Sequence, residues 1–126
     1  MIVLDTNALV FWTLDRDKLT HAAMTAIEEE EHRVISSISI WEIGLKVKRE
    51  TLVLPLPVRD YVERLKRVEG LRILPVDDRT WLRNVELDWS HRDPADRTIV
   101  ATAMLDSSPL VTSDATIRSF YQRAIW

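Results

Sequence analysis

The sequence has no cysteine and only two glycines, Gly44 and Gly70. Without thiols the chain can form neither disulfides nor thiolate metal sites, so a reducing compartment such as the cytoplasm is expected. Two glycines cannot supply a glycine-rich phosphate loop, which argues against a nucleotide or dinucleotide binder. A cysteine hydrolase is excluded by the missing thiol, and a serine hydrolase by the missing nucleophile-elbow motif.

Long apolar runs are also absent, and none approaches the roughly 20 residues that a membrane-spanning helix needs. The N-terminus has no basic region followed by an apolar stretch and a cleavage site, so we expect neither a signal peptide nor a membrane partner. Positive charge is not in excess, because the formal net charge is −3. Nucleic-acid binders usually present basic surface. If four of the carboxylates bind cations, however, the formal net charge of the rest of the chain is +1.

What is present is an alternation of short apolar segments with helical patterns, in a chain the size of one domain, residues 1–126. Strands are predicted at residues 2–4, 34–36, 73–76 and 110–112, with an edge strand at 124–126. Helices are predicted through residues 9–14, from about 20 to 28–31, through 40–47, and at 58–68, 78–87, 94–105 and 114–121. This order predicts an α/β fold whose short, mainly parallel sheet is covered on both faces.

Four acids fall next to predicted strand ends or helix starts. Asp5 ends the first strand, and Glu42 lies in the first turn of the helix after the second. Asp96 lies in the first turn of a later helix, and Asp114 closely follows the fourth strand. In an open parallel sheet the carboxyl ends of the strands share one edge, where such folds bind ligands. The four acids can therefore converge on one cleft.

Helix capping competes with this interpretation, and taken singly it explains three of the acids better. Ser39-x-x-Glu42 matches a capping box, Asp93-Pro94-Ala95-Asp96 is a good N-terminal cap, and Asp114 can be an N-cap. Asp5 is different, because Thr6 and Asn7 can cap the next helix unaided. A convergent cluster would repel itself unless a cation neutralised it, and oxygen ligands suit Mg²⁺ or Mn²⁺. Such a site is suited to phosphodiester hydrolysis.

Four segments in order resemble the PIN domain, and more closely the VapC-type toxins of type II toxin–antitoxin modules. They are Val3-Leu4-Asp5-Thr6-Asn7, Ser39-Ile40-Trp41-Glu42-Ile43, Asp93-Pro94-Ala95-Asp96-Arg97 and Leu110-Val111-Thr112-Ser113-Asp114. The resemblance implies a single-domain α/β/α sandwich that cleaves RNA with Mg²⁺ (or Mn²⁺). It implies a homodimer and a cognate VapB-like antitoxin as partner. The acids that it implies as catalytic are Asp5, Glu42, Asp96 and Asp114, with Asp5, Asp96 and Asp114 as metal ligands.

Further roles are expected around these acids. Thr6, Thr112 and Arg97 are expected to contact substrate, Thr112 by the resemblance and Arg97, like Arg92, because it flanks Asp96. The three histidines are isolated in sequence, so none is expected to ligate metal. Three further cations are sufficiently explained by the helix dipole that they meet at a helix C-terminus: Lys46, Lys48 and Arg49.

A haloacid-dehalogenase-type phosphatase would need an acid two residues beyond Asp5, where this chain has Asn7. The stronger rival is a non-catalytic PIN module that binds RNA or a protein partner, in which the acids bind metal without cutting or serve only as caps.

Overall fold

The computed structural model describes residues 1–126, and its centre is a sheet of five parallel strands. The strands stand in the order β3-β2-β1-β4-β5. Their bounds are β1 Ile2–Leu4, β2 Arg33–Ser36, β3 Leu71–Leu74, β4 Leu110–Val111 and β5 Ala124–Ile125. β1 is central, with β2 and β4 as its neighbours. Because every pair is parallel, the carboxyl ends of all five strands lie along one edge.

Seven α-helices cover the sheet, and none is long and apolar enough to cross a membrane. Their bounds are α1 Thr6–Leu14, α2 His21–Glu28, α3 Ile38–Lys48, α4 Val58–Leu65, α5 Asp78–Glu86, α6 Pro94–Leu105 and α7 Ala115–Phe120. A 3₁₀ turn at Arg16–Lys18 separates α1 from α2. The predicted α/β/α sandwich with a parallel sheet is confirmed.

The core lies in two clusters, one on each face of the sheet. Ile2 and Leu4 of β1 belong to the cluster that α1 to α4 cover, while Val3 belongs to the cluster that α6 and α7 cover. Side chains alternate between faces along a strand, and all three of these are buried, so β1 is an apolar run rather than an alternating one.

The bounds of β3 and α4 differ from the sequence prediction for local reasons. β3 was predicted at 73–76 but begins at Leu71, because Gly70 ends the preceding turn at φ 74° and pairing with β2 starts directly after it. The strand stops before Pro75, which has no N–H for the ladder. α4, predicted to reach residue 68, ends at Leu65 in a turn.

Candidate functional site

Asp5 lies at the base of the site, at the carboxyl end of the central strand, with 4% of its surface exposed. It is also the N-cap residue of α1, a role expected of Thr6 and Asn7, because the helix begins immediately at Thr6. Its Oδ1 accepts a hydrogen bond from the backbone N–H of Thr6 at 2.7 Å. Its Oδ2 accepts one from the Thr112 hydroxyl at 2.6 Å. Asp5 is therefore fixed by β1 and by the end of β4.

Burial raises the pKa of Asp5 to about 7. Desolvation is the largest cause, and the nearby negative charges of Asp96 and Glu42 raise the pKa further. The bonds from Thr112 and Thr6 act in the opposite direction, because they stabilise the ionised carboxylate. A buried acid surrounded by other acids is costly to ionise unless a cation compensates its charge.

The Thr112 hydroxyl connects Asp5 with a second acid, Asp114. The same oxygen that donates to Asp5 accepts a hydrogen bond from the Asp114 N–H at 3.0 Å. Asp114 is the N-cap of α7, and its Oδ1 accepts from the Ile117 N–H at 3.0 Å. The capping role expected for Asp114 is thus present. It uses only Oδ1, so Oδ2 takes no part in the cap.

The capping box at Ser39 and Glu42, the alternative interpretation of this acid, does not form. α3 begins at Ile38, because the Ser36 hydroxyl accepts the Ile38 N–H at 3.2 Å and starts the helix early. Ser39 is therefore inside the helix and fully buried, where its hydroxyl is 2.9 Å from that of Thr6. Glu42 falls in the second turn rather than the first. It has no capping duty, so the structural explanation for this acid is removed.

Asp93 and Asp96 stand one turn apart at the start of α6. Asp93 is the N-cap, and its Oδ1 accepts the Asp96 N–H at 2.9 Å, as the sequence predicted. One carboxylate oxygen from each of Asp93, Asp96 and Glu42 lies within 4.8 Å of the other two. Desolvation raises the pKa of Asp96, as do the charges of neighbouring acids, while its hydrogen bond with His91 lowers it.

His91 contacts the site directly, which its isolation in the sequence did not indicate. Its Nε2 is 2.7 Å from Asp96 Oδ2. The ring packs against Trp89 at 4.8 Å between centroids, and Trp89 stacks on Phe120 at 4.5 Å. His91 therefore holds one oxygen of Asp96 from a loop that is anchored on α7.

Arg97 is occupied within the protein. Its Nη1 donates to the carbonyls of Trp89 at 2.6 Å and His91 at 3.0 Å. Its Nη2 donates to those of Asn84 at 2.6 Å and Leu87 at 3.2 Å, and its Nε to Asn84 Oδ1 at 3.3 Å. A guanidinium has five N–H groups, and all five are used. The hydroxyls of Thr6 and Thr112 are likewise buried and bonded to protein groups.

The structure brings the four predicted acids into electrostatic contact at the carboxyl end of the sheet. The charge of Asp96 acts on Asp5, and the charges of Glu42 and Asp114 act on Asp96. Of the three predicted metal ligands, only Asp96 belongs to the set of oxygens within 4.8 Å of one another, in which Asp93 and Glu42 accompany it. The sequence indicates only a capping role for Asp93, although an acid three residues before Asp96 shares its helix face. An all-carboxylate cluster above a buried acid fits a hard divalent cation such as Mg²⁺ or Mn²⁺.

Comparison with known proteins gives consistent results. The family model of the PIN domain matches residues 2–122. Ribonuclease VapC22 of Mycobacterium tuberculosis (strain ATCC 25618 / H37Rv) is 31% identical over 119 residues, which cover 94% of this chain and 90% of that protein.

Solved structures share the fold. A toxin–antitoxin complex from Klebsiella pneumoniae matches with a TM-score of 0.71 and 19% identity, over 100% of this chain and 97% of that one. Mycobacterium tuberculosis VapC20, a sarcin-ricin loop cleaving toxin, matches with a TM-score of 0.67 and 14% identity, over 94% of each chain.

Proposed function

This chain belongs to the PIN-domain family, as its sequence motifs predicted, and from that membership we propose that it is a metal-dependent endoribonuclease acting as the toxin of a toxin–antitoxin pair. The observation that carries the proposal is the convergence of Asp5, Glu42, Asp96 and Asp114 at one sheet edge, with Asp5 buried among like charges. Structural duties alone do not account for Glu42 or for the burial of Asp5.

Mg²⁺ or Mn²⁺ is the proposed cofactor, held by Asp96 together with oxygens drawn from Glu42, Asp93, Asp5 and Asp114. When bound, such a cation lowers the pKa of a water ligand and stabilises the charge of a phosphodiester transition state. The chain positions the acids. Thr112 fixes Asp5 and Asp114 relative to each other, and His91 orients Asp96.

Partners are proposed on the same basis. The relatives include a named ribonuclease and a solved toxin–antitoxin complex, which supports RNA as substrate and a VapB-like antitoxin as inhibitor. The nuclease is proposed to comprise one domain, residues 1–126, and to act in the cytoplasm. For Arg97 and Thr6, whose polar atoms are bonded inside the protein, we propose support of the site in place of direct substrate contact.

The test compares two aspartates with the same structural role. Asp114 and Asp77 are both N-caps that accept a helix N–H at 3.0 Å, but only Asp114 is at the site. Asparagine caps helices as well as aspartate, so either substitution should leave stability nearly unchanged. With total cellular RNA and Mn²⁺, Asp114→Asn is expected to slow cleavage at least about a hundredfold, because a ligand to the cation is lost. Asp77→Asn should cleave like the wild type.

The controls separate the nuclease from its rival. EDTA should abolish wild-type cleavage, and Mg²⁺ or Mn²⁺ should raise the melting temperature of the wild type. Equal cleavage by both variants would contradict the proposed site. A wild type that binds metal and RNA but leaves the RNA intact would favour the non-catalytic module.

A homodimer is proposed through the exposed apolar surface of α3 and α5. Trp41 and Trp81 line one groove there and are 52% and 47% exposed, and Leu82 and Val85 extend the surface along α5. Exposed apolar side chains that line one groove indicate an interaction site. Val85→Glu, at a side chain that is 78% exposed, should convert a dimer to a monomer in light scattering after gel filtration.

Val53 provides the matched control for this prediction. It is 87% exposed in the loop between α3 and α4, away from that groove. Val53→Glu should leave the oligomeric state of the wild type unchanged. A monomeric wild type at micromolar concentration would refute the proposed homodimer.

A further inference from the structure

Lys46 differs from the other lysines of the chain in its surroundings. Of the four lysines it is the only one that is not exposed, and it lies on α3 one helical turn beyond Glu42. Lys18 and Lys66 form ion pairs with acids three residues away on the surface, Asp15 and Glu63. Lys46 has no carboxylate within ion-pair distance. Its charge is therefore partly shielded from solvent without being neutralised by an acid.

The ammonium group of Lys46 is directed toward the site. Its Nζ donates to Asn7 Oδ1 at 3.5 Å, and Asn7 is in the first turn of α1, two residues after the buried Asp5. Residues four apart on a helix share a face, so Lys46 lies beside Glu42 along the same side of α3. A cation and a carboxamide thus stand together at the border of the acidic cluster.

An acidic site that cuts a polyanion needs positive charge at its border, because its carboxylates repel the phosphates flanking the scissile bond. Arg92, exposed beside Asp93, can supply part of this charge at the start of α6. Arg97 cannot supply this charge to a phosphate, since its five N–H groups are bonded to the protein. Lys48 and Arg49 also follow on α3, but both are exposed at its end, where they meet the helix dipole. Lys46 combines an unpaired charge with a position at the cluster.

We propose that Lys46 and Asn7 form a phosphate-binding subsite for the RNA strand, next to the metal-binding acids. Lys46 supplies the charge and Asn7 Nδ2 a hydrogen-bond donor, while Asn7 Oδ1 keeps the ammonium group in place. The ligand class is the phosphodiester backbone of single-stranded RNA, contacted without regard to base. This inference rests on the proposed ribonuclease function. It gives Lys46 a role at the site in addition to compensating the dipole of α3.

The experiment measures RNA binding and cleavage separately. A 20-nucleotide fluorescein-labelled RNA of mixed sequence is titrated by anisotropy in Ca²⁺ between 50 and 300 mM KCl. Cleavage of the same RNA is followed in Mn²⁺, and the Mn²⁺ affinity of each protein is measured by calorimetry. The variants are Lys46→Met, Lys46→Arg and, as the matched control two residues along the same helix, Lys48→Met.

Lys46→Met is expected to weaken RNA binding about fivefold to tenfold and to reduce the slope of log affinity against log salt by about 0.7, the share of one phosphate contact to a single strand. KM should rise by a similar factor with kcat changed far less. Lys46→Arg should recover most of the loss, and Lys48→Met should match the wild type. The Mn²⁺ affinity should change no more than twofold in any variant.

An unchanged salt slope in Lys46→Met, or a loss in Lys48→Met of the same size, would overturn the inference. A change confined to Mn²⁺ affinity or melting temperature would also overturn it. Lys46 would then only compensate the charge of the acids or contribute to packing. A wild type that binds RNA with this salt dependence but cuts none in Mn²⁺ would refute the nuclease and leave the subsite supported.

Discussion

Asp5→Asn is expected to stabilise the metal-free protein by about 2 kcal/mol at pH 8 while slowing metal-dependent RNA cleavage at least about a thousandfold. Burial raises the pKa of Asp5 from 3.8 to about 7. The folded chain therefore keeps a proton that the unfolded chain has lost, and its stability falls as pH rises from about 4 to 7. Above that range the cost of the ionised group is about 4 kcal/mol. Asparagine avoids this cost, but its amide has one acceptor oxygen where the carboxylate has two. It therefore cannot accept from both Thr6 and Thr112, which reduces the gain.

The pH dependence makes this prediction specific. At pH 5 the folded wild type holds Asp5 neutral, so the advantage of the variant in urea unfolding should nearly disappear. Adding Mn²⁺ at pH 8 should stabilise the wild type more than the variant, because the cation compensates the buried charge. Asp77→Asn serves as the control: Asp77 is exposed, and its pKa is lowered chiefly by the Thr80 backbone hydrogen bond. Its substitution should give no gain at pH 8. A destabilised Asp5→Asn at pH 8 would mean that Asp5 acts chiefly as a cap.

Arg97→Met is expected to lower the free energy of unfolding by about 3 kcal/mol, as several backbone carbonyls lose a charged donor. The guanidinium joins α6 to the end of α5 and to the loop that carries Trp89 and His91. Cleavage should also fall, because His91 would no longer be held against Asp96. Urea unfolding and initial cleavage rates at a temperature where the variant is folded measure the two effects.

Arg97→Lys distinguishes the supporting role from phosphate binding. Lysine retains the charge but cannot form five hydrogen bonds in a planar fork, so this variant should lose about 2 kcal/mol of stability. Arg118→Met, at an exposed arginine on α7, should unfold like the wild type. A fully stable Arg97→Lys with normal cleavage would restore Arg97 as a substrate contact.

The sequence was sufficient for the sheet because its strands are buried on both faces. Ile2-Val3-Leu4 and Leu110-Val111 are apolar throughout, which only a covered parallel sheet explains, and the family motifs gave the order of the elements. The ends of the strands and helices were harder to predict from the sequence. At the start of α3 the Ser36 side chain accepts the backbone N–H of Ile38. The pattern Ser39-x-x-Glu42 pointed instead to a start at Ser39.

The surroundings of the acids could be predicted least. The loop between α5 and α6 has no periodic pattern, and its path is set by the Arg97 fork and by the stack of Trp89 on Phe120. This path places His91 against Asp96 and directs the N–H groups of Arg97 to protein acceptors, so that none is free to bind RNA. Asp93 was hidden for another reason: a sufficient role as N-cap obscured a second one beside Glu42.

The hydroxyl of Thr112 bonds to an acid 107 residues earlier in the chain. During synthesis Asp5 leaves the ribosome before Thr112 and Asp114 have been made. Until then β1 lacks its neighbour β4, and Asp5 lacks both the hydroxyl that fixes it and the partner acid beyond it. A nascent chain therefore cannot assemble the site before β4 and Asp114 have been made. For a protein proposed to cleave RNA, this order separates the synthesis of the first acid from the assembly of the site.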